Sequence, residues 1–471
     1  MNPPHEAWPL LSRDAGSTLA EQLAARFGER IGQGLLRPGA RLPSVRDCAA
    51  RCAISAATVV AAYDRLQAQG LVEARAHRGF FVRAALAGRS PRGTAGGLPA
   101  APVDATALIR GMFHAGVHGS APGMGTLPED WLDPALLQRA LRRVAAGDGR
   151  AWVRYGEPAG DPALRAALSR RLGDLGIDAE PAQIVSTLGA THALDIVART
   201  LLQPGDAVLV DEPGWAVEYE RLSRLGMRLL PVPRGADGPD LAVMATLLQT
   251  QRPRLYVTVS VLHNPTGYTL SPAAAHRVLG LAERHDLTIV EDDTYAFLAP
   301  PHATRLSALD GLQRTLLVSG FSKILTPQWR VGFVAAAPAL AERLIDTKLV
   351  STLTTPAVLE QAVAWCLDQG LLRRHAERIV QRLDAARDRA VHHALDAGCR
   401  FVTPPQGLFG WVDVGTDTER LALAMLDRGW LLAPGTLFQA SRRPSHCMRI
   451  NFAATQDGRF WQALRGTGAR A

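Results

Sequence analysis

VSGFSKILTPQWRVGF, residues 318–333, carries one of only two lysines in a chain of 471 residues. The other is Lys348, and arginine fills the remaining Lys/Arg positions. Arginine supplies charge as well as lysine does, but it keeps its proton and so cannot attack a carbonyl. A lysine retained at position 323, between two apolar runs that read as strands (RTLLVSGF and RVGFVAAA), is therefore a candidate nucleophile. Ser322 beside it and Arg330 seven residues on are suited to an anion.

Four more short apolar runs, QIVSTL, DAVLVD, RLYVTVSVL and LTIVED, alternate with helical patterns upstream of the lysine. Strands alternating with helices argue for βαβ units and a mainly parallel, doubly wound sheet. Polar residues gather at the expected strand ends. STLGATHALDIVARTLL puts Gly189-Ala190-Thr191 between a strand and a helix, where free N–H groups bind phosphate. VLVDEPGWAVEY places Trp215 just past a strand, and SVLHNPTG sets Asn264 in a Pro-Thr-Gly turn. LTIVEDDTY ends a strand with three consecutive acids, costly unless solvated or paired. Asp292 is the middle one, and Tyr295 follows three residues later.

Each of these has an ordinary reading as a turn, a core aromatic or a loop. Together they supply an amine, an anion cradle, an aromatic face, hydroxyl and amide donors, and a carboxylate, which is what pyridoxal phosphate demands of a protein. They fall where open α/β sheets bind ligands, beyond the carboxyl ends of the strands.

The order of these motifs resembles that of fold-type I aminotransferases across residues 110–471. The resemblance implies pyridoxal 5'-phosphate held covalently by Lys323, with Ala190, Thr191, Ser322 and Arg330 on its phosphate. Trp215 would cover the ring, Asp292 would face the ring nitrogen, and Asn264 and Tyr295 the phenolic oxygen. Tyr155, in RYGEPAGDPALRAAL, would reach the phosphate of a neighbouring subunit, and Arg449, in MRINFA, would pair with a substrate α-carboxylate. The family commonly has serine three residues before the lysine; this chain has Gly320, with Ser319 one place earlier.

The first fifth of the chain is different. Between Arg13 and Arg83 stand eleven arginines against six acids, more than half of the whole formal charge of +8. Such a cluster reads either as a general habit of an arginine-rich composition or as an electrostatic footprint for phosphates. LAEQLAARFGERIGQGLL has apolar residues at 19, 23, 27, 31 and 35, one helical face. Pro38-Gly39 predicts a turn, Ser44 an N-cap for a second helix, and ISAATVVAAYDRLQAQGLV a third, with Val59, Ala62, Tyr63 and Leu66 inward and Gly70 at its end. VEARAHRGFFV reads as a hairpin with basic residues at its tip.

This segment, 13–83, resembles the winged helix-turn-helix of GntR-type regulators. That implies backbone-phosphate contacts from Ser44 and Arg46, a recognition helix beginning at Ser55 and Thr58, and a wing tip at Arg78-Gly79. Where the family usually has arginine after the matching serine, this chain has Ala56, then Ala57. Residues 84–105, rich in Ala, Gly and Pro, read as a linker to the second domain, 106–471.

The combination resembles the MocR-type subgroup of GntR regulators. It implies a homodimer that binds double-stranded DNA and senses a small amine, an amino acid or the cofactor. A working aminotransferase with an accessory DNA-binding domain is the alternative, and a large domain that serves only to dimerise is a third. No apolar run approaches the roughly 18 residues of a membrane helix, and no secretory signal is evident, so a cytoplasmic protein is expected. Five scattered cysteines fit a reducing compartment. Cys48 and Cys52, four apart without a second pair, read as buried thiols, and no metal site is expected.

Overall fold

A computed structural model describes residues 17–32, 39–75, 78–83, 121–147, 149–426 and 428–467, with Leu11 and Leu36. The expected linker 84–105, Leu35 and Pro38 lie outside the described residues.

The N-terminal domain is three helices and a hairpin: α1 (Leu19–Gly32), α2 (Val45–Cys52), α3 (Ala56–Ala68), β1 (Val72–Arg75) and β2 (Gly79–Val82). Leu23, Phe27, Cys48, Val59, Tyr63 and Leu66 form its core. Both expected serines are N-caps. Ser44 Oγ accepts from the Asp47 amide and Ser55 Oγ from the Thr58 amide, each at 3.1 Å, satisfying N–H groups that the first helical turn leaves unpaired. Between α2 and α3 the chain turns through Ala53, which has a left-handed φ of 51°. Cys48 is buried and Cys52 partly so, and neither forms a disulfide. Among the described residues no cluster of ligating side chains is suited to a metal ion.

The large domain is built on strands β3 (Ile184–Thr187), β4 (Ala207–Glu212), β5 (Arg228–Gly235), β6 (Gly238–Pro239), β7 (Leu255–Thr258), β8 (Thr288–Asp292), β9 (Thr315–Gly320) and β10 (Gly332–Ala335). They form one sheet in the order β3-β10-β9-β8-β7-β4-β5-β6. The pairs from β9 through β8, β7 and β4 to β5 are parallel, and β10 runs antiparallel to both β9 and β3. Strands buried on both faces are near-continuous in apolar residues, which is why they show in the sequence as short runs. The exception is β5, RLLPVPRG, whose two prolines disguise it; Pro231 and Pro233 sit beside β4, and the strand's other edge pairs only with short β6.

A smaller sheet, β11 (Arg400–Phe401), β12 (Phe409–Asp413), β13 (Ala433–Pro434) and β14 (Cys447–Asn451), is antiparallel throughout, in the order β11-β12-β14-β13. The 26-residue helix Leu371–Asp396 contributes Leu372, Ile379 and Leu383 to the apolar cluster shared with Phe409, Met448 and Ile450. Among the described residues no helix is long and apolar enough to cross a membrane.

Candidate cofactor and effector site

The cradle is the N-terminus of helix Ala190–Leu201. Gly189 caps it with a φ of 77° and no side-chain hydrogen bond, so the first amides, Ala190 and Thr191, are left for an anion. Arg330 spans the opening: Nη1 donates to Ser322 Oγ at 3.0 Å and Nη2 to the Leu188 carbonyl at 3.0 Å. A Cβ built on Gly189 would lie 2.5 Å from Arg330 Nη2, so glycine is required both for the turn and for the guanidinium. Gly320 lies under the same cradle, where a Cβ would approach Val331 O to 3.2 Å and Ala190 N to 3.4 Å. Ser319 does not stand in for the missing serine. Its hydroxyl donates to the Asp293 carbonyl at 2.8 Å.

Trp215 and Asp292 line one cavity, together with Leu194, Thr258 and His263. The three acids of LTIVEDDTY part company at the end of β8. Glu291 accepts from the amides of Leu306 and Ser307, at 2.7 and 2.8 Å. Asp293 pairs with Arg305 at 2.7 Å. Asp292 points to the other face, as strand alternation requires, and its partner is Thr294, through the amide at 3.0 Å and the hydroxyl. Burial raises its pKa to about 6, outweighing the Thr294 hydrogen bonds and joined by the charge of Glu218. Glu218 lines the same cavity and is held by Arg221 Nε at 3.0 Å.

Lys323 sits in the turn after β9. Burial, followed by the charge of Arg449, lowers the pKa of its ammonium to about 8, against the attraction of Asp292. Arg449, 4% exposed, comes from β14 and lies between the rings of Phe409 and Phe438, 4.5 and 5.0 Å from their centroids. Its Nη1 donates to Asn264 Oδ1 at 2.8 Å and its Nη2 to the Gly123 carbonyl at 2.6 Å, while buried Nε has no partner. Tyr295 is buried beside Asn264, and burial pushes the pKa of its hydroxyl up.

Residues 121–126 form a strap over this end of the site. The Asn451 amide donates to Pro122 O at 2.9 Å, and its side-chain Nδ2 donates to Met124 O at 2.9 Å and Thr126 O at 2.7 Å. A Cβ on Gly125 would lie 3.7 Å from Arg449 Nη2 and 3.8 Å from Lys323 Nζ, so one point in space touches both cations.

The structure thus sets the helix start at Ala190 and Thr191 beside the turn of Ser322, Lys323 and Arg330, Trp215 and Asp292 in one cavity, and Asn264, Tyr295 and Arg449 at one corner. Tyr155 stands apart from this set. It is 84% exposed, near exposed Trp152 and Val153. Sequence reasoning missed the strap, whose glycines carry no chemical signature, and a buried network beneath the site. In that network Asp211 accepts from Arg234 Nη1 at 2.9 Å, Thr258 Oγ1 at 2.7 Å and Tyr256 Oη at 2.5 Å, while Arg234 Nη2 donates to the Val259 carbonyl. It ties the ends of β4, β5 and β7, and so fixes the loops that carry Trp215 and Asn264. An arginine closing an apolar β5 was its visible trace.

The second lysine is structural. Lys348 is fully buried and donates to Ser186 Oγ at 3.1 Å and Thr355 Oγ1 at 3.4 Å. His192 also acts locally. Its Nδ1 accepts from the Leu188 amide at 3.0 Å, bracing the turn before the cradle.

Residues 123–465 match the family aminotransferase class I and II, and residues 19–82 match the bacterial regulatory proteins of the gntR family. A solved α-aminoadipate aminotransferase, LysN from Thermus thermophilus in complex with N-(5'-phosphopyridoxyl)-L-leucine, superposes with a TM-score of 0.70 at 25% identity, over 76% of this chain and 94% of that one. Fold and site together define a winged-helix regulator joined to an aminotransferase class I and II domain. The uncharacterized HTH-type transcriptional regulator YdcR of Escherichia coli is 30% identical over 464 residues, 95% of this chain and 98% of that protein. The probable rhizopine catabolism regulatory protein MocR of Rhizobium meliloti is 31% identical over 400 residues, 81% and 78% of the two chains. The chain belongs to the MocR-type GntR-family transcriptional regulators.

Proposed function

We propose that this regulator holds pyridoxal 5'-phosphate and uses it to detect a small amino acid, changing its hold on DNA in response. The observation that carries the reading is the joint approach of Lys323 Nζ and Arg449 Nη2 to Gly125. An amine and a guanidinium that close to one point suit a ligand with an amino group and a carboxylate on neighbouring atoms.

Pyridoxal phosphate, when bound, supplies an aldehyde that amines attack and a ring that withdraws electrons. The chain's residues fit it. Ala190 and Thr191 amides, Ser322 and Arg330 would hold its phosphate. Trp215 would cover the ring, Asp292 would keep the ring nitrogen protonated, and Asn264 and Tyr295 would bond the phenolic oxygen. Lys323 would hold the aldehyde carbon until an incoming amine takes its place.

Arg449 then receives the ligand's carboxylate. Its guanidinium is already shared by Asn264 and Gly123. A charged, bidentate acceptor outcompetes a neutral carbonyl, so the carboxylate takes the Nη2 edge and the strap loses its contact. In the chain the strap directly follows the segment that leads from the N-terminal domain. A ligand shifts that domain only as far as it binds the two arrangements with different affinity.

Two copies complete the assembly in this reading. Exposed Trp152, Val153 and Tyr155 form an apolar edge that a second copy covers, and Tyr155 crosses to the partner's phosphate. The test is footprinting of genomic DNA with the purified protein, with and without pyridoxal phosphate and a set of amino acids. Site-specific protection that changes with amino acid supports the reading. Turnover of amino groups without specific protection makes the chain a working aminotransferase instead, which the presence of Lys323, Asp292 and Arg449 in one site also favours.

A further inference from the structure

Over its first two turns the exposed side of α3 carries no hydrogen-bonding side chain; Asp64, Arg65 and Gln67 are exposed further along, and Arg65 pairs with Glu21 at 2.8 Å. At 3.6 residues per turn, Ala56, Ala57, Val60, Ala61 and Asp64 share one face, opposite buried Val59, Ala62, Tyr63 and Leu66. All five are exposed, Val60 by 40%. The two hydroxyls at the start of the helix are engaged in its cap: Ser55 Oγ accepts from the Thr58 amide at 3.1 Å and lies 2.8 Å from Thr58 Oγ1. Two turns of the helix that a winged helix-turn-helix sends into the major groove therefore present methyl groups alone. Elsewhere on the same domain Arg41, Arg46 and, at the hairpin tip, Arg78 are exposed, cations of the kind that meet phosphates.

We infer that α3 reads thymine through its 5-methyl group, by contact with Ala56, Ala57, Val60 and Ala61, and takes no hydrogen bond from guanine. In the major groove the thymine methyl is the one apolar feature of the base edges, and alanine and other small apolar side chains are its partners. Guanine is read by arginine or lysine, and the first two turns of this face have neither, while Arg65 in the third turn is engaged by Glu21. Asp64 ends the stripe as an acceptor, unsuited to the acceptor edge of guanine. The inference rests on the DNA-binding reading of the N-terminal domain and assigns its specificity.

The test starts with the full-length protein selecting sites from a random duplex library. Each thymine of the best site is then replaced by deoxyuridine, which keeps every hydrogen-bonding group and removes only the methyl. Binding is expected to fall roughly fourfold at each contacted thymine, the transfer value of one buried methyl. The Val60→Ala variant should shrink the uridine effect at one position, and Ala56→Arg should introduce guanine into the selected site. A selected site that binds equally well with uridine throughout overturns the inference while leaving DNA binding intact. Failure to select any site overturns the DNA-binding reading itself. Because the altered residues are exposed, circular dichroism should match the parent for both variants, and a Val60→Ala protein that keeps the full uridine effect also counts against the methyl contact.

Discussion

Arg449 Nη2 donates to the Gly123 carbonyl at 2.6 Å, so the guanidinium expected to receive a ligand's carboxylate also holds the strap. If Arg449 receives that carboxylate as proposed, ligand and strap compete for one edge. Adding an amino acid effector to the cofactor-loaded protein should therefore speed hydrogen exchange at the Gly123 and Asn451 amides, which donate to Leu431 O and Pro122 O. Amines without a carboxylate should leave both amides protected. Equal protection with and without amino acid would rule out the competition.

Replacing Lys323 with Ala or Arg should abolish the visible absorption band that pyridoxal phosphate acquires on covalent attachment. Arginine keeps the charge but not the removable proton, so it should not rescue the band. Far-ultraviolet circular dichroism should match the parent protein, since Lys323 is half-buried in a turn. A K323R protein that still forms the band would remove Lys323 from the role proposed for it.

The ammonium pKa of Lys323 is lowered from 10.5 to about 8, first by burial and then by Arg449. The neutral amine is the attacking form, so covalent capture of the cofactor by the ligand-free protein should accelerate as pH rises through about 8 and then level off. Stability carries the same sign. A depressed ammonium contributes fully above pH 10.5, and that contribution is lost as pH falls through about 8. Stopped-flow absorbance from well below to well above this range checks the rate, and a midpoint near 10.5 would contradict the depressed value.

Gly189→Ala should weaken cofactor binding by roughly tenfold or more, because Cβ would meet Arg330 Nη2 at 2.5 Å and alanine is strained at a φ of 77°. Titration of the visible band reads the affinity. The parallel change at Gly205, also at positive φ but with nothing near its Cβ, should leave the affinity unaltered.

Arg46 is exposed on α2, where a phosphate contact is expected. Arg46→Ala should weaken binding to all DNA sequences alike and reduce the slope of log affinity against log salt by about one. A change in sequence preference with an unaltered slope would place Arg46 at a base edge.

Much of this molecule is readable in its chain because both of the ligands proposed for it are anionic. Phosphate needs glycine-led helix starts and arginine, and Gly189, Arg330, Ser44 and Arg46 stand out by type and spacing. Parallel strands buried on both faces leave unbroken apolar runs ending in polar residues, which mark Trp215, Asn264, Asp292 and Lys323. What stays hidden depends on contacts between segments far apart in the chain. Gly123 gains its meaning only when Leu431 and Arg449 arrive beside it, from the far end of the sequence. Asp211 and Arg234 become a pair only once β4 and β5 are laid side by side. The smaller sheet has two strands of two residues each, too short to show a period. Ser319 could be excluded from the cradle only by seeing its hydroxyl turned to Asp293.

The scarcity of lysine has a chemical consequence. Lys348 is shut away behind Ser186 and Thr355 in the folded protein. Amine-directed acylating reagents, which decorate most proteins at many sites, therefore meet a single reactive side chain here, Lys323, and only while its nitrogen is unbonded. Once the α-amino group is accounted for, the mass added by such a reagent under native conditions would report the fraction of the protein whose Lys323 stands free.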